Sequence, residues 1–312
     1  MTVPEVLVLR ALGLGDFLTG VPAYRGLRRS FPGAHLTLAA PVALAPLVPL
    51  VGAIDQLLPT AGLGSLPYRG RPDLAVNLHG RGPQSTALLA ATSPGRLVAY
   101  GLPDGPRWTA DEHEVVRWCR LLATAGIVAV PTDLGLAEPQ DRAARIPDAV
   151  VIHPGASAPA RRWPARRYAS VARRLSAEGH DVVVTGSPSE SPLAAQVLQA
   201  AGLPGDRLLL DLDLAELAAL VARARLVICG DTGVAHLATA YGTRSVVLFG
   251  PSSPARWGPP PSGAHTVLWS GRVGDPHGHR PDPGLLAIET DAVLDAARDQ
   301  LTASATELAV RR

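Results

Sequence analysis

Short apolar runs alternate with helical stretches along nearly the whole chain, and this alternation constrains the fold more than any other feature. It is typical of parallel sheets with helices on both faces. We therefore predict an α/β fold. The predicted strands are Val6–Arg10, His35–Ala40, Ile54–Leu58, Asp73–His79, Arg96–Tyr100, Ala149–His153, Asp181–Thr185, Arg207–Asp211, Leu226–Cys229 and Ser245–Phe249. The predicted helices are Asp16–Ser30, Asp111–Ala125, Ala165–Ala177, Glu190–Ala201, Leu214–Arg223, Val234–Tyr241 and Thr290–Thr302.

The polar, proline-bounded stretch Pro131–Pro147 interrupts the alternation and is predicted to link two domains. Each half opens in the same way, with an apolar strand that runs into a glycine-containing turn, Leu12–Gly15 in one and His153–Ala156 in the other. Two doubly wound domains that face each other would place a ligand cleft between their strand C-termini. The predicted boundaries are 1–140 and 148–289, followed by a C-terminal helix in 290–312 that could pack back on the first domain.

Composition excludes several function classes, because all 29 basic residues are arginine and none is lysine. No Schiff-base, P-loop or kinase-type lysine is available, so a phosphate ligand must be held by arginine, backbone N–H groups or hydroxyls. A net charge of +2 does not indicate a nucleic-acid partner. Cys119 and Cys229 stand alone, which argues against a disulfide framework or a zinc cluster. With no signal-like start and no transmembrane-length apolar run, a cytoplasmic protein is expected.

The first candidate motif, Gly13-Leu14-Gly15-Asp16, follows the first predicted strand. It is an incomplete dinucleotide fingerprint, because Leu18 stands where the third glycine would be. The glycines would instead let the backbone approach a ligand. Asp16, at a strand C-terminus, would then suit a general base. The alternative, that Asp16 only caps the following helix, stays open.

Two further motifs suit an anion. The turn after the strand that ends at His153 carries the Ser157 hydroxyl, and Arg161 adds a fork-shaped guanidinium. Asp231-Thr232-Gly233 lies between a predicted strand and a helix, where helix N–H groups bind phosphate. His236 follows one helical turn later, although a lone histidine is more often a structural filler than a ligand.

Weaker candidates lie at other strand ends. Gly186 to Glu190 places an acid at a strand-to-helix turn, where it would bind a ribose diol or only complement the helix N-terminus. Asn77, His79 and Arg81 lie at the end of the predicted strand Asp73–His79 and could contact a second substrate. The Gly/Pro-rich segment Gly271–Gly284 carries His277 and His279, for which a flexible loop is favoured over metal ligation.

Four elements follow one another along the chain: the Gly-Asp turn followed by Pro22, the His-Pro-Gly-Ala-Ser turn, the Arg-Arg-Trp-Pro element and the Asp-Thr-Gly-Val-Ala-His stretch. In this order they resemble glycosyltransferase family 9, the ADP-heptose:lipopolysaccharide heptosyltransferases. The resemblance implies a GT-B fold, in which two Rossmann-like doubly wound domains face a central cleft. It also implies an N-terminal acceptor-binding domain, a C-terminal domain that binds the donor, and inverting transfer without a metal or other cofactor.

The same resemblance implies roles for individual residues. Asp16 matches the catalytic base, and Arg161 stands where many members have lysine. Gly13 and Gly15 are assigned to the acceptor from their place in the turn before Asp16. The implied donor-binding residues are Ser157, Arg161, Thr232 and Gly233 for the diphosphate, Gly186 and Glu190 for the ribose, Leu212 near the adenine, and Asp231 and His236 around the sugar or phosphates.

The expected partners are an ADP-heptose-like donor and a carbohydrate-type acceptor, either a lipopolysaccharide-core-like glycan or a small natural product such as an aminoglycoside. Peripheral association with the inner face of the membrane stays open. Two alternatives remain: a nucleotide-sugar epimerase on a GT-B scaffold and a non-catalytic nucleotide-sugar-binding protein.

Overall fold

The computed structural model describes residues 3–140 and 146–310. The chain divides into two compact units, Met1–Ala137 and Glu138–Arg312. The boundary falls within the predicted linker, of which residues 141–145 lie outside the described residues.

The first unit is built on a parallel sheet of order β3-β2-β1-β4-β5. Its central strands are buried and in register, with Val8 opposite both Leu38 and Val76. The strands are β1 Glu5–Leu9, β2 His35–Ala40, β3 Gln56–Pro59, β4 Leu74–Asn77 and β5 Arg96–Val98. The helices are α1 Leu14–Thr19, α2 Val21–Ser30, α3 Val48–Val51, α4 Gln84–Ala90 and α5 Glu114–Ala123.

The prediction of one helix over Asp16–Ser30 is wrong, because the chain forms α1 and α2 with a break at Gly20. Gly20 ends α1 and precedes α2, and Pro22 occupies the first turn of α2. A Cβ atom at Gly20 would overlap with the Tyr24 hydroxyl. The close packing of Tyr24 therefore requires glycine at the break.

The second unit contains a parallel sheet of order β11-β10-β9-β6-β7-β8. Ile152 of the central strand lies opposite Ile228 on one side and Val184 on the other. The strands are β6 Val150–His153, β7 Val182–Thr185, β8 Leu208–Leu209, β9 Leu226–Gly230, β10 Ser245–Phe249 and β11 His265–Trp269. The helices are α6 Ala165–Ala177, α7 Ser191–Ala201, α8 Leu214–Ala222, α9 Gly233–Tyr241, α10 Pro254–Trp257, α11 Pro283–Leu286 and α12 Thr290–Val310.

The C-terminal helix predicted from Thr290 is confirmed and extends to Val310 as α12. It packs against α6 and against β9, β10 and β11, and Val293, Ala297 and Leu301 join the core of the second unit. The predicted packing of this helix on the first domain stays a prediction. Asp213 and Glu216 form a capping box at the start of α8.

Candidate functional site

In each sheet the first three strands are added toward one edge and the later strands toward the other, so the strand order reverses at one switch point. In the first unit this switch lies between β1 and β4, and in the second it lies between β6 and β9. In open parallel sheets, ligands bind in the crevice beyond the carboxyl ends of the strands at such a point. Asp16 and His79 follow β1 and β4, whereas Arg161 and Asp231 follow β6 and β9. The predicted residues are therefore grouped at the two switch points.

Asp16 lies in the first turn of α1, whose N-cap residue is Gly13. The alternative that Asp16 is the cap is therefore wrong. The Asp16 side chain is 29% exposed, so its carboxylate is accessible while partly shielded. A Cβ atom at Gly13 would meet nothing within 4 Å among the described atoms. The backbone at this turn is open to a ligand.

Arg10 is a residue of this site that the sequence did not predict as functional. It follows β1, is fully buried, and its Nε donates to the carbonyl oxygen of Asp16. Its Nη1 donates to the Leu78 carbonyl, and its Nη2 donates to Thr19 Oγ1 at 2.8 Å. The guanidinium thus joins both ends of α1 to the end of β4. In the sequence, the signal for a role of Arg10 was a single charged residue directly after an apolar strand.

The loop after β4 lies beside the same guanidinium. Burial, and next the charge of Arg10, lower the pKa of His79, so this imidazole stays neutral at neutral pH. Asn77 is buried and donates to Ser85 Oγ and Thr86 Oγ1 at 2.9 and 3.0 Å. Its Oδ1 accepts from the N–H of His79 at 3.0 Å.

Asn77 therefore stabilises the loop after β4 by hydrogen bonds to its backbone and to α4. Arg81 is exposed on the same loop. The roles of Asn77, His79 and Arg81 as acceptor contacts stay predictions.

In the second unit, Arg161 joins the turn after β6 to the turn after β9. Its Nη2 donates to Ser157 Oγ, its Nη1 donates to the carbonyl of Asp231 at 3.2 Å, and the Asp231 carboxylate lies 3.7 Å from Nη1. The Arg161 side chain is 23% exposed. Its buried Nε has no hydrogen-bond partner within the described part of the chain. The three predicted residues thus form one polar cluster.

The N-terminus of α9 begins beside this cluster. Thr232 is its N-cap and Gly233 is its first residue, and the Thr232 side chain makes no capping hydrogen bond within the described ranges. Thr232 Oγ1 is buried without an oxygen or nitrogen partner among the described residues. Burial raises the pKa of the Cys229 thiol, at the end of β9, to about 12. Because the first N–H groups of a helix carry partial positive charge, this turn suits an anion.

His236 lies one turn further along α9, and its ring meets the ring of Trp257 edge-on at 6.2 Å between centroids. Trp257 belongs to α10, which follows β10 at the same edge of the sheet. His236 therefore lies one helical turn from the Thr232–Gly233 turn and contacts Trp257.

Glu190 ends the short 3-10 turn Pro188–Glu190, which follows β7, the strand next to β6 in the sheet. Its Oε2 accepts from the N–H and the hydroxyl of Ser187 at 2.9 and 2.8 Å, so the carboxylate also stabilises the helix start that follows Gly186. His153 Nε2 lies 3.9 Å from the same oxygen, and His153 Nδ1 contacts Thr185 Oγ1 at 3.1 Å. Burial lowers the pKa of His153, although the charge of Glu190 opposes this shift. Leu212 is half-buried in the loop after β8, at the same edge of the sheet.

A Cβ atom at Gly155 would overlap with the Glu190 carboxyl group. Glycine at this position therefore gives the carboxylate its place beside the backbone of the turn after β6.

The His277–His279 loop contacts the Arg161 turn through its backbone. Ala160 donates its N–H to Gly278 O at 3.0 Å, and Asp275 Oδ1 accepts from the N–H of His277 at 2.9 Å. The flexible loop favoured from the sequence is thus held at these points. Among residues 3–140 and 146–310, no group of three or more His, Cys, Asp or Glu side chains could hold a metal ion.

The sequence is similar to that of known proteins. Residues 106–283 match the sequence model of glycosyltransferase family 9 (heptosyltransferase). Lipopolysaccharide heptosyltransferase 2 of Escherichia coli strain K12 is 25% identical over 291 residues, which cover 80% of this chain and 84% of that protein. Arg161, Glu190 and the Asp231–His236 turn lie inside the matched range, whereas Asp16 lies before it.

Two solved structures share the fold. The glycosyl transferase family 9 protein from Veillonella parvula DSM 2008 superposes with a TM-score of 0.77 at 22% identity, covering 97% of this chain and 99% of that one. E. coli ADP-heptose LPS heptosyltransferase II gives a TM-score of 0.75 at 23% identity, covering 96% and 99%. These likenesses confirm the predicted GT-B fold class. None of the helices in the described ranges is both long and apolar enough to span a membrane.

Proposed function

Because the chain belongs to glycosyltransferase family 9 and is thus a glycosyltransferase, we propose that it transfers a heptose-like sugar from an ADP-activated donor to an acceptor hydroxyl. The observation that carries this proposal is the cluster at the carboxyl ends of β6 and β9. There the Arg161 guanidinium, the Ser157 hydroxyl and the N-terminus of α9 come together. This is a binding site for a diphosphate.

The donor is proposed to extend from this cluster along the edge of the second sheet. Arg161, Ser157 and the N–H groups of Thr232 and Gly233 would bind the diphosphate, since guanidinium groups and helix N-termini both favour anions. Glu190, which follows the neighbouring strand β7, would accept hydrogen bonds from the ribose hydroxyls, with Gly186 beside it.

The remaining donor groups are assigned from position. The adenine would lie toward Leu212, because the chain reaches Leu212 directly after β8, beyond β7 in the sheet. Asp231 and His236 would lie beside the sugar or its phosphates.

The chemical step would begin with removal of a proton from the acceptor hydroxyl by the Asp16 carboxylate. The acceptor oxygen forms a bond to the anomeric carbon of the donor, and the bond from that carbon to the ADP oxygen breaks. Because attack occurs on the face opposite ADP, the anomeric configuration inverts. The departing diphosphate gains negative charge, which Arg161 and the α9 N-terminus would stabilise in place of a divalent cation.

The acceptor is proposed to be a carbohydrate. The E. coli relative is named as a lipopolysaccharide heptosyltransferase, which supports a lipopolysaccharide-core-like glycan. A small natural product with sugar hydroxyls, such as an aminoglycoside, offers the same acceptor group. A panel containing both classes distinguishes them by which member accelerates ADP release.

Release of ADP by the purified protein tests the assignment of the base. With ADP-heptose and an active acceptor, Asp16→Asn should lower the rate by at least about 100-fold while ADP still binds, since general-base catalysis contributes roughly 10²–10⁴-fold. Activity should persist in EDTA. Near-full activity of Asp16→Asn would contradict the assignment, and loss of activity in EDTA that a divalent cation restores would contradict metal-independent transfer.

A further inference from the structure

The buried guanidinium of Arg10 faces two carboxylates on different helices of the first unit. Its Nη2 lies 3.7 Å from Asp16 Oδ1 on α1 and 3.4 Å from Glu114 Oε1 on α5. The Glu114 side chain is 13% exposed, and that of Arg10 is fully buried. At such distances opposite charges attract each other, and solvent screens the buried Arg10–Glu114 pair less than the partly exposed Asp16. One cation is thus shared between the proposed base and a second acid.

Glu114 is held firmly in this place. Its Oε1 accepts from Trp118 Nε1 at 2.8 Å, and its Oε2 accepts from Arg117 Nε at 3.0 Å. The Arg10 guanidinium also lies over the Trp118 ring, 4.9 Å from its centroid. Glu114 therefore offers Arg10 a fixed negative partner that is independent of Asp16.

The other titratable groups around Arg10 are the Tyr24 hydroxyl on α2 and the His79 imidazole after β4. Burial raises the pKa of the Tyr24 phenol well above its usual range and lowers the pKa of His79, so both are neutral near pH 7. Near pH 7, the charged groups that this network brings toward Asp16 include Arg10, Glu114 and the Arg117 guanidinium that pairs with Glu114 at 3.0 Å.

We propose that Arg10 and Glu114 are positioning residues for the base. Arg10 fixes α1 and holds the Asp16 carboxylate ionised, whereas Glu114 offsets part of the cation's charge so that the carboxylate keeps its affinity for a proton. This inference rests on the proposed function of Asp16. It assigns the strength of the base to a balance between one guanidinium and two carboxylates.

The test is the pH dependence of kcat/KM for acceptor-dependent ADP release by wild type, Glu114→Gln, Arg10→Lys and Arg10→Gln. Removing the negative charge of Glu114 favours ionised Asp16, so the acid limb of the profile should move to lower pH by about 0.5–1 unit. Removing the cation in Arg10→Gln should move it to higher pH by roughly 1 unit. Arg10→Lys should restore much of the wild-type profile, because it keeps the charge.

Glu112→Gln is the matched control. Glu112 lies two residues before Glu114 and pairs with Arg117 and Arg120 at 3.8 and 2.7 Å, so its loss should leave the acid limb in place. If Arg10→Gln fails to fold, Glu114→Gln still decides the inference. Equal loss of rate at every pH, with the acid limb unmoved in Glu114→Gln, would overturn it and show a structural role only. An active Asp16→Asn would instead overturn the proposed base, and this inference with it.

Discussion

Substitution of Gly155 by alanine should weaken ADP binding without unfolding the second unit. The new methyl group would occupy the place of the Glu190 carboxyl, and the flexible Glu190 side chain would swing away. It would then lose its contacts with the N–H and hydroxyl of Ser187, which are 2.9 and 2.8 Å long. The loss of this local cap should cost about 1 kcal/mol. In a unit of this size that corresponds to a Tm decrease of roughly 2–4 °C.

The cost in binding should be larger. A displaced Glu190 could no longer accept from the ribose hydroxyls, and a hydrogen bond to a charged group contributes about 1.5–3 kcal/mol. The Kd for ADP should therefore rise roughly 10- to 100-fold, since each 1.4 kcal/mol is tenfold. Isothermal titration calorimetry with ADP measures this directly.

Gly205→Ala is the control for this substitution, because a Cβ atom at Gly205 would meet nothing within 4 Å among the described atoms. Its Kd should match that of wild type. In a Glu190→Ala background, Gly155→Ala should add little, because both changes remove the same interaction. An ADP affinity of Gly155→Ala within twofold of wild type would refute the assignment of Glu190 to the ribose.

Two further predictions concern charged groups in the second unit. Arg161→Ala should lower kcat/KM on the order of 100-fold through loss of diphosphate stabilisation, while Arg161→Lys keeps measurable activity; a silent alanine variant would remove Arg161 from the site. The pKa of His153 is lower in the folded chain than its ordinary value of about 6.5, so the unfolded state binds more protons at acid pH. The free energy of unfolding should therefore fall as the pH drops below about 6.5, and urea denaturation of His153→Asn should show a shallower fall than wild type. An unchanged slope would contradict this account.

The sequence predicted the buried parallel strands well, because a short apolar run between two helical stretches can be recognised from neighbouring residues alone. Ser245–Phe249 and Ala165–Ala177 have the predicted limits. β11, His265–Trp269, was missed because it is a half-buried edge strand with mixed polar and apolar residues after a Pro/Gly-rich loop. The helix break at Gly20 was missed although a local signal marks it: Gly20 ends α1, and Pro22, which has no N–H group to continue that helix, lies in the first turn of α2.

The candidate site was predicted where glycine turns follow strands, as at Asp16, Arg161 and Thr232. Its supporting residues were not predicted, because their partners are distant in sequence. Arg10 meets Leu78 and Glu114 only after β1, β4 and α5 have packed together. Gly155 is explained by Glu190 only once β6 and β7 are neighbours.

Mass spectrometry of the acceptor after incubation with purified protein and ADP-heptose tests the central claim most directly. Transfer predicts that the acceptor gains the mass of one heptosyl unit, that an equal amount of ADP is released, and that Asp16→Asn slows both by at least about 100-fold. Isomers of the nucleotide sugar formed without any acceptor would indicate an epimerase and contradict the claim. Binding of ADP-heptose with no transfer to any acceptor in the panel would also contradict the claim.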